Sequence, residues 1–114
     1  MRKKIITSID NLNEASIYDV IQEKGEFKKV TLSSDDINDL LDYFTYINKN
    51  NDLAIDIYEE EIICDINKII KVLNDTKKFK TTIISSLNTL NLLNKIENIL
   101  AFSIENKSCI YFIL

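Results

Sequence analysis

The chain contains no histidine, no proline and no tryptophan, only one glycine and two cysteines. Without histidine it lacks the commonest general base near neutral pH and the commonest metal ligand, which excludes serine or cysteine triads and histidine-based zinc sites. Cys64 and Cys109 are too few for a four-thiolate zinc site. A loop that cradles phosphate needs several glycines so that backbone N–H groups can reach the ligand, and Gly25 stands alone. With the two strongest turn formers nearly absent, the connections must be built from Asn, Asp, Ser and Lys.

Long apolar runs are missing too. No stretch reaches the roughly 18 to 20 apolar residues that a membrane helix needs, since Glu105, Asn106 and Lys107 interrupt even the C-terminal segment. The charged start Met1-Arg2-Lys3-Lys4 is followed only by Ile5 and Ile6 before Thr7, Ser8 and Asp10, so it has no apolar signal core. The chain therefore reads as cytoplasmic, and Cys64 and Cys109 as reduced thiols and not as a disulfide framework.

What is present suits one small globular domain over residues 1–114. At 46% apolar and 28% charged residues the composition is ordinary for a folded protein, and 114 residues can bury a core unaided by metals or bridges. No repeat, low-complexity tract or linker divides it. The expected class is α+β: a small mixed or antiparallel sheet of about four or five strands, with a C-terminal hairpin, packed with three or four helices.

Residues 3 to 9 read as a first strand at a sheet edge, and Asn13 to Lys24 as a helix with Gly25 past its end. Phe27 to Leu32 reads as a second strand. Ser33-Ser34-Asp35-Asp36 then supplies a capping hydroxyl and early carboxylates for a helix whose core stripe is Ile37, Leu40, Leu41, Phe44 and Ile47, ending near Asn48 to Asn51. Leu53, Ile55 and Ile57 alternate as in a half-buried strand. From Glu59 two readings compete: a helix to Asp75, which is favoured, or a hairpin in which Ile62, Cys64 and Ile66 alternate along a second strand. Lys77, Lys78 and Lys80 read as a basic link into a helix running to Asn94 or Glu97. Leu100 to Ile104 and Cys109 to Leu114 read as the closing hairpin, with a last strand apolar on both faces.

Charge is unevenly placed. Residues 35 to 65 hold ten acids and one base, Lys49, so this segment carries −9 while the rest of the chain carries +5. Turning about 100° per residue along the helix puts Asp35, Asp39, Asp42 and Tyr46 opposite the core stripe, with Tyr43 beside them. Asp56, Tyr58, Glu59 and Glu60 form a second acidic and aromatic group. Glu59, Glu60, Glu61 and Asp65 match no calcium loop and are better explained as carboxylates at a helix start, so no metal or cofactor is expected.

A surface of that sign steers towards a basic protein and repels nucleic acid and anionic membrane. The expected function is that of a small acidic inhibitor: an immunity protein that neutralises a cognate bacterial toxin, a nuclease above all, by covering its basic surface. A phage-encoded inhibitor of a host defence nuclease would need the same face. A DNA-binding regulator ranks lower because the lysines at 77, 78 and 80 make only a short basic patch, and an enzyme ranks last. The order strand, helix, acidic helix, strand, paired helices and terminal strand resembles that of barstar-type ribonuclease inhibitors. The strand at Phe27 to Leu32 and the final hairpin depart from it, and no binding residue is carried over.

Overall fold

The computed structural model describes residues 3–8, 23, 27–57, 60–82 and 86–114. The helix expected over Asn13 to Lys24, with Gly25 behind it, lies outside those residues. In chain order the described elements are β1 (Lys4–Ser8), β2 (Phe27–Thr31), α1 (Ser34–Asp39), α2 (Leu41–Asn51), β3 (Glu61–Ile63), α3 (Ile66–Lys80), α4 (Leu87–Glu105) and β4 (Ile110–Ile113). The four strands make one antiparallel sheet in the order β2-β1-β4-β3. The expected α+β class is therefore what forms, but β1 lies inside the sheet and β2 and β3 are its edges.

The pleat divides the sheet into two faces. Ile5 stands between Val30 and Phe112 in register, and these three residues join Ile63 and Ile110 in the main core with the helices. The alternate residues Ile6, Tyr111 and Ile113 form a smaller buried cluster, with Phe27 and Cys109 packed against it. β4 is thus buried on both faces, as its unbroken Ile-Tyr-Phe-Ile sequence requires. Burial pushes the Tyr111 hydroxyl up to about 12, and that hydroxyl has no hydrogen-bond partner among the described residues.

The helices begin where polar side chains can cap them. At α1 the Ser33 hydroxyl accepts from the Asp36 N–H at 3.0 Å and the Asp36 carboxylate accepts from the Ser33 N–H at 2.9 Å, a complete capping box. Asp65 caps α3 through the Asn67 N–H, and Ser86 caps α4 through the Thr89 N–H. With glycine scarce, non-glycine residues take left-handed backbone at two helix ends: Asp52 (φ 53°) after α2 and Lys107 (φ 52°) after α4.

α4 is the central helix, packing on β1, β2, α1 and α3. Its buried residues, Leu92, Leu93, Ile96, Ile99, Leu100 and Ser103, spread over a broad face, which is why no single narrow stripe shows in its sequence. Each of its fully buried Leu and Ile side chains stabilises the fold by roughly 1.5–3 kcal/mol through lost apolar exposure. α3 lies between α2 and α4. Lys80 pairs with Glu97 of α4 at 2.7 Å, and Asn51 of α2 donates to the buried Asp75 of α3 at 2.9 Å, where Lys71 also reaches both residues.

Several expected elements form differently. Leu100 to Ile104 is the end of α4 and not a strand, so β4 pairs with β1 and β3 without a C-terminal hairpin. Neither reading of residues 59 to 75 holds whole: Glu61–Ile63 is a short strand on β4, and the helix starts only at Ile66 and runs on through Lys77, Lys78 and Lys80. Those lysines occupy the last turn of α3, where cations favour the helix dipole. Leu53 to Ile57 forms no strand and bends at Asp56 and Ile57, and the backbone of Ile55 is taken up by the Asn48 side chain instead. The Asn48 amide donates to the Ile55 carbonyl at 2.9 Å and its Oδ1 accepts from the Ile55 N–H at 3.0 Å.

Candidate protein-binding face

The capping box fixes where α1 points, and with it the acidic face. Asp35, Asp39 and Asp42 are exposed, as their helical phase requires. Two of the acids on this side also serve the fold. Asn88 of α4 donates to Asp39 at 2.9 Å and to Asp36 at 3.2 Å. The Asp36 carboxyl is held below its usual range by the Ser33 N–H first and by Asn88 next.

Of the two tyrosines expected beside those acids, Tyr43 is off that face and Tyr46 is partly exposed. Tyr43 is fully buried, its ring set against Phe44 and against the edge of Phe79. Because the Thr76 hydroxyl donates to the Val72 carbonyl, Tyr43 donates to Thr76, at 2.7 Å. Burial raises its hydroxyl well above the usual tyrosine range. Tyr46 is half-buried against Phe79. The physical reason is that α2 is covered by α3 on one side while Phe44 packs on Phe112 of β4, so its buried arc is wider than the one stripe that the periodicity suggests. Tyr43 is accordingly a core residue and not a contact. In the second group Asp56 and Glu60 are exposed, while Tyr58 and Glu59 lie outside the described residues.

The structure adds a feature that spacing conceals. Leu40 (φ −97°, ψ 1°) ends α1 and begins α2. Leu40 is buried, but Leu41, assigned by its spacing to the core stripe, is 51% exposed. It stands at the rim of a groove of about 270 Å³ whose floor is Ile37, Phe44 and Ile55, with Leu114 on the wall and Ile57, 48% exposed, also at the rim. Asn48 pins the Ile55 segment alongside α2 and so builds the second wall. Asp56 joins the lining, and no lysine or arginine does. Consecutive Leu40 and Leu41 were the only sequence signal, since two adjacent helical residues cannot both point inward on a narrow stripe.

The cysteines are bonded to each other: Cys64 and Cys109 form a disulfide with their Cα atoms 4.2 Å apart. This corrects the expectation of reduced thiols. The register that pairs Ile63 with Ile110 sets the next two residues opposite each other across β3 and β4, a juxtaposition invisible at 45 residues' separation. Among the described residues no cluster of acids and cysteines could hold a metal ion, and no helix is long and apolar enough to cross a membrane. No protein family, curated protein or solved structure matches the chain, so the likeness in element order to barstar-type inhibitors gains no support.

Proposed function

We propose that this chain is a small inhibitor of the immunity-protein kind, which neutralises a cognate bacterial toxin, a nuclease, by covering its basic surface. One observation carries the reading: the exposed carboxylates of Asp35, Asp39, Asp42 and Asp56 belong to the elements that frame an exposed apolar groove, within a segment of charge −9. Apolar ground bordered by charge of one sign is the composition of an interface with a core and a rim, and the sign selects a cationic partner while repelling nucleic acid. The proposed binding role leaves the chain without a catalytic task of its own. We place this function in the cytoplasm, where a nuclease toxin finds its substrate. There dithiol reductants open disulfides, so the fold must stand without the Cys64–Cys109 bridge.

The test is to co-purify the chain with the product of the neighbouring gene and to assay that product's nuclease activity with and without it. Wild type should bind and inhibit, and an Asp35→Lys, Asp42→Lys double variant, folded by circular dichroism, should bind at least about a hundredfold more weakly. Equal inhibition by both proteins, or a partner with no basic surface, overturns the proposal. The double variant spares Asp39 and Asp36, so the contacts to Asn88 stay in place.

A further inference from the structure

We infer that the groove between α1, α2 and the Ile55–Ile57 segment is an anchor pocket for one large apolar side chain, a phenylalanine or leucine, presented by the partner between lysine or arginine residues. The inference rests on the inhibitor reading and specifies how the partner is recognised. The size, about 270 Å³, lies at the small end for a ligand site and has room for a single large side chain. Chemistry points the same way. The floor is apolar, its residues Ile37, Phe44 and Ile55 are each at most 4% exposed, and Leu41 and Ile57 are open at the rim to close over an inserted group. Charge complementarity fixes the flanks: Asp42 follows Leu41 directly, within a segment of charge −9, and no lysine or arginine lines the groove. The same charge argues against a second copy of the chain, which would bring carboxylates onto carboxylates, and against an anionic membrane. Such a group is the buried, desolvated anchor around which protein interfaces concentrate their affinity, and the carboxylates at the rim act on approach and specificity.

The defined probe is a set of synthetic peptides titrated by NMR against the intact chain: Lys-Lys-Phe-Lys-Lys, Lys-Lys-Ala-Lys-Lys and Glu-Glu-Phe-Glu-Glu. The phenylalanine peptide with lysine flanks should shift the Leu41 and Ile57 methyl signals and bind at least about tenfold more tightly than the alanine peptide. The acidic peptide should not bind. Leu41→Ser and Ile57→Ser, conservative for the fold because both side chains are exposed, should each reduce the phenylalanine peptide towards the alanine level while leaving binding of the alanine peptide unchanged. If the two lysine peptides bind equally through the α1 carboxylates, the pocket is refuted and the acidic-face reading survives. If the acidic peptide enters the groove as well as the basic one, the charge argument fails, and with it the basic partner. If neither lysine peptide shifts any signal of α1 or α2, both readings fall. Shifts at Leu41 and Ile57 that grow with protein concentration alone would assign the groove to self-association and overturn the inference.

Discussion

Two hollows of the molecule differ in what the chain does with their chemistry. The groove beside α1 and α2, closed by Leu114 after β4, has an apolar floor with Thr45, Asn48 and Asp56 also in its lining, and leaves Leu41 and Ile57 open to water. The other, of about 330 Å³, lies where the edge strand β2 meets α4 and is lined by Lys28, Lys29, Thr31, Lys95 and Asn98. Three lysines in one hollow look like an anion site, yet the fold answers their charge from within. Lys29 pairs with Glu23 at 2.9 Å, Lys28 lies 5.2 Å from the centre of the Phe102 ring, and Lys95 is near enough to Asp36 to add to the pull on its carboxyl. Charge that is answered internally holds elements together, whereas exposed apolar area at a rim has no such use. That difference is why the groove, and not the lysine hollow, is assigned to a partner.

The sharpest way to separate floor from rim is truncation. Phe44 is 4% exposed and packs on Tyr43 and, edge to face, on Phe112 of β4, so Phe44→Ala should cost about 3–5 kcal/mol by urea unfolding. Leu41→Ala, at the exposed rim, should stay within about 0.5 kcal/mol. Equal losses would mean that Leu41 is part of the core, and the groove would lose its claim to a partner.

Next in size is the bridge. Opening Cys64–Cys109, by reduction or by Cys64→Ser with Cys109→Ser, should cost about 2–4 kcal/mol, as expected for a loop closed over 45 residues. The loss should be local before it is global. Amide exchange should rise first in β3, an edge strand of three residues, and least in β2, at the other edge of the sheet. A uniform rise, or unfolding on reduction, would contradict the proposed cytoplasmic function.

What could be read from residues alone follows the range of the interactions involved. The capping box at Ser33 and Asp36, the strand at Phe27–Thr31 and the two-faced burial of β4 are local patterns, and they formed as expected. The disulfide, the short β3 and the continuation of α4 through Leu100 to Glu105 each depend on a partner distant in sequence. The unpaired segment at Leu53 to Ile57 depends on one side chain, Asn48, which composition cannot tell from any other asparagine. The acidic positions 35, 39 and 42 were legible because helical phase is local. Tyr43 was not, because its burial comes from α3, and the groove was not, because a break at Leu40 turns Leu41 outward.

A smaller effect belongs to the cap that orients the acidic face. Ser33→Ala should cost about 1 kcal/mol. Asp36 has its pKa lowered in the folded state, so its contribution is complete above its ordinary value and is lost as pH falls through the lowered one. Ser33→Ala keeps the backbone N–H that holds the Asp36 carboxylate, so its acid-dependent loss should largely persist, whereas Asp36→Asn should remove it. If stability falls with acid as steeply in Asp36→Asn as in wild type, Asp36 is not the group responsible.

The smallest expected change probes the lysine hollow itself. Glu23 accepts from Lys29 at 2.9 Å and from Lys4 at 3.1 Å, and these two bonds hold its carboxyl below the ordinary value of 4.5. A group depressed in this way stabilises the fold fully above its ordinary value and ceases to do so as pH falls through its folded value. Glu23→Gln should therefore lower the urea midpoint slightly and by a constant amount from neutral pH down to about pH 5, with the gap to wild type closing in stronger acid. The same variant should let the hollow take up inorganic phosphate, read as shifts at Lys29 and Thr31, while the groove signals of Leu41 and Ile57 stay still. Phosphate binding by the wild-type hollow at equal strength would show that its lysines are not answered from within, and the contrast between the two hollows would lose its basis.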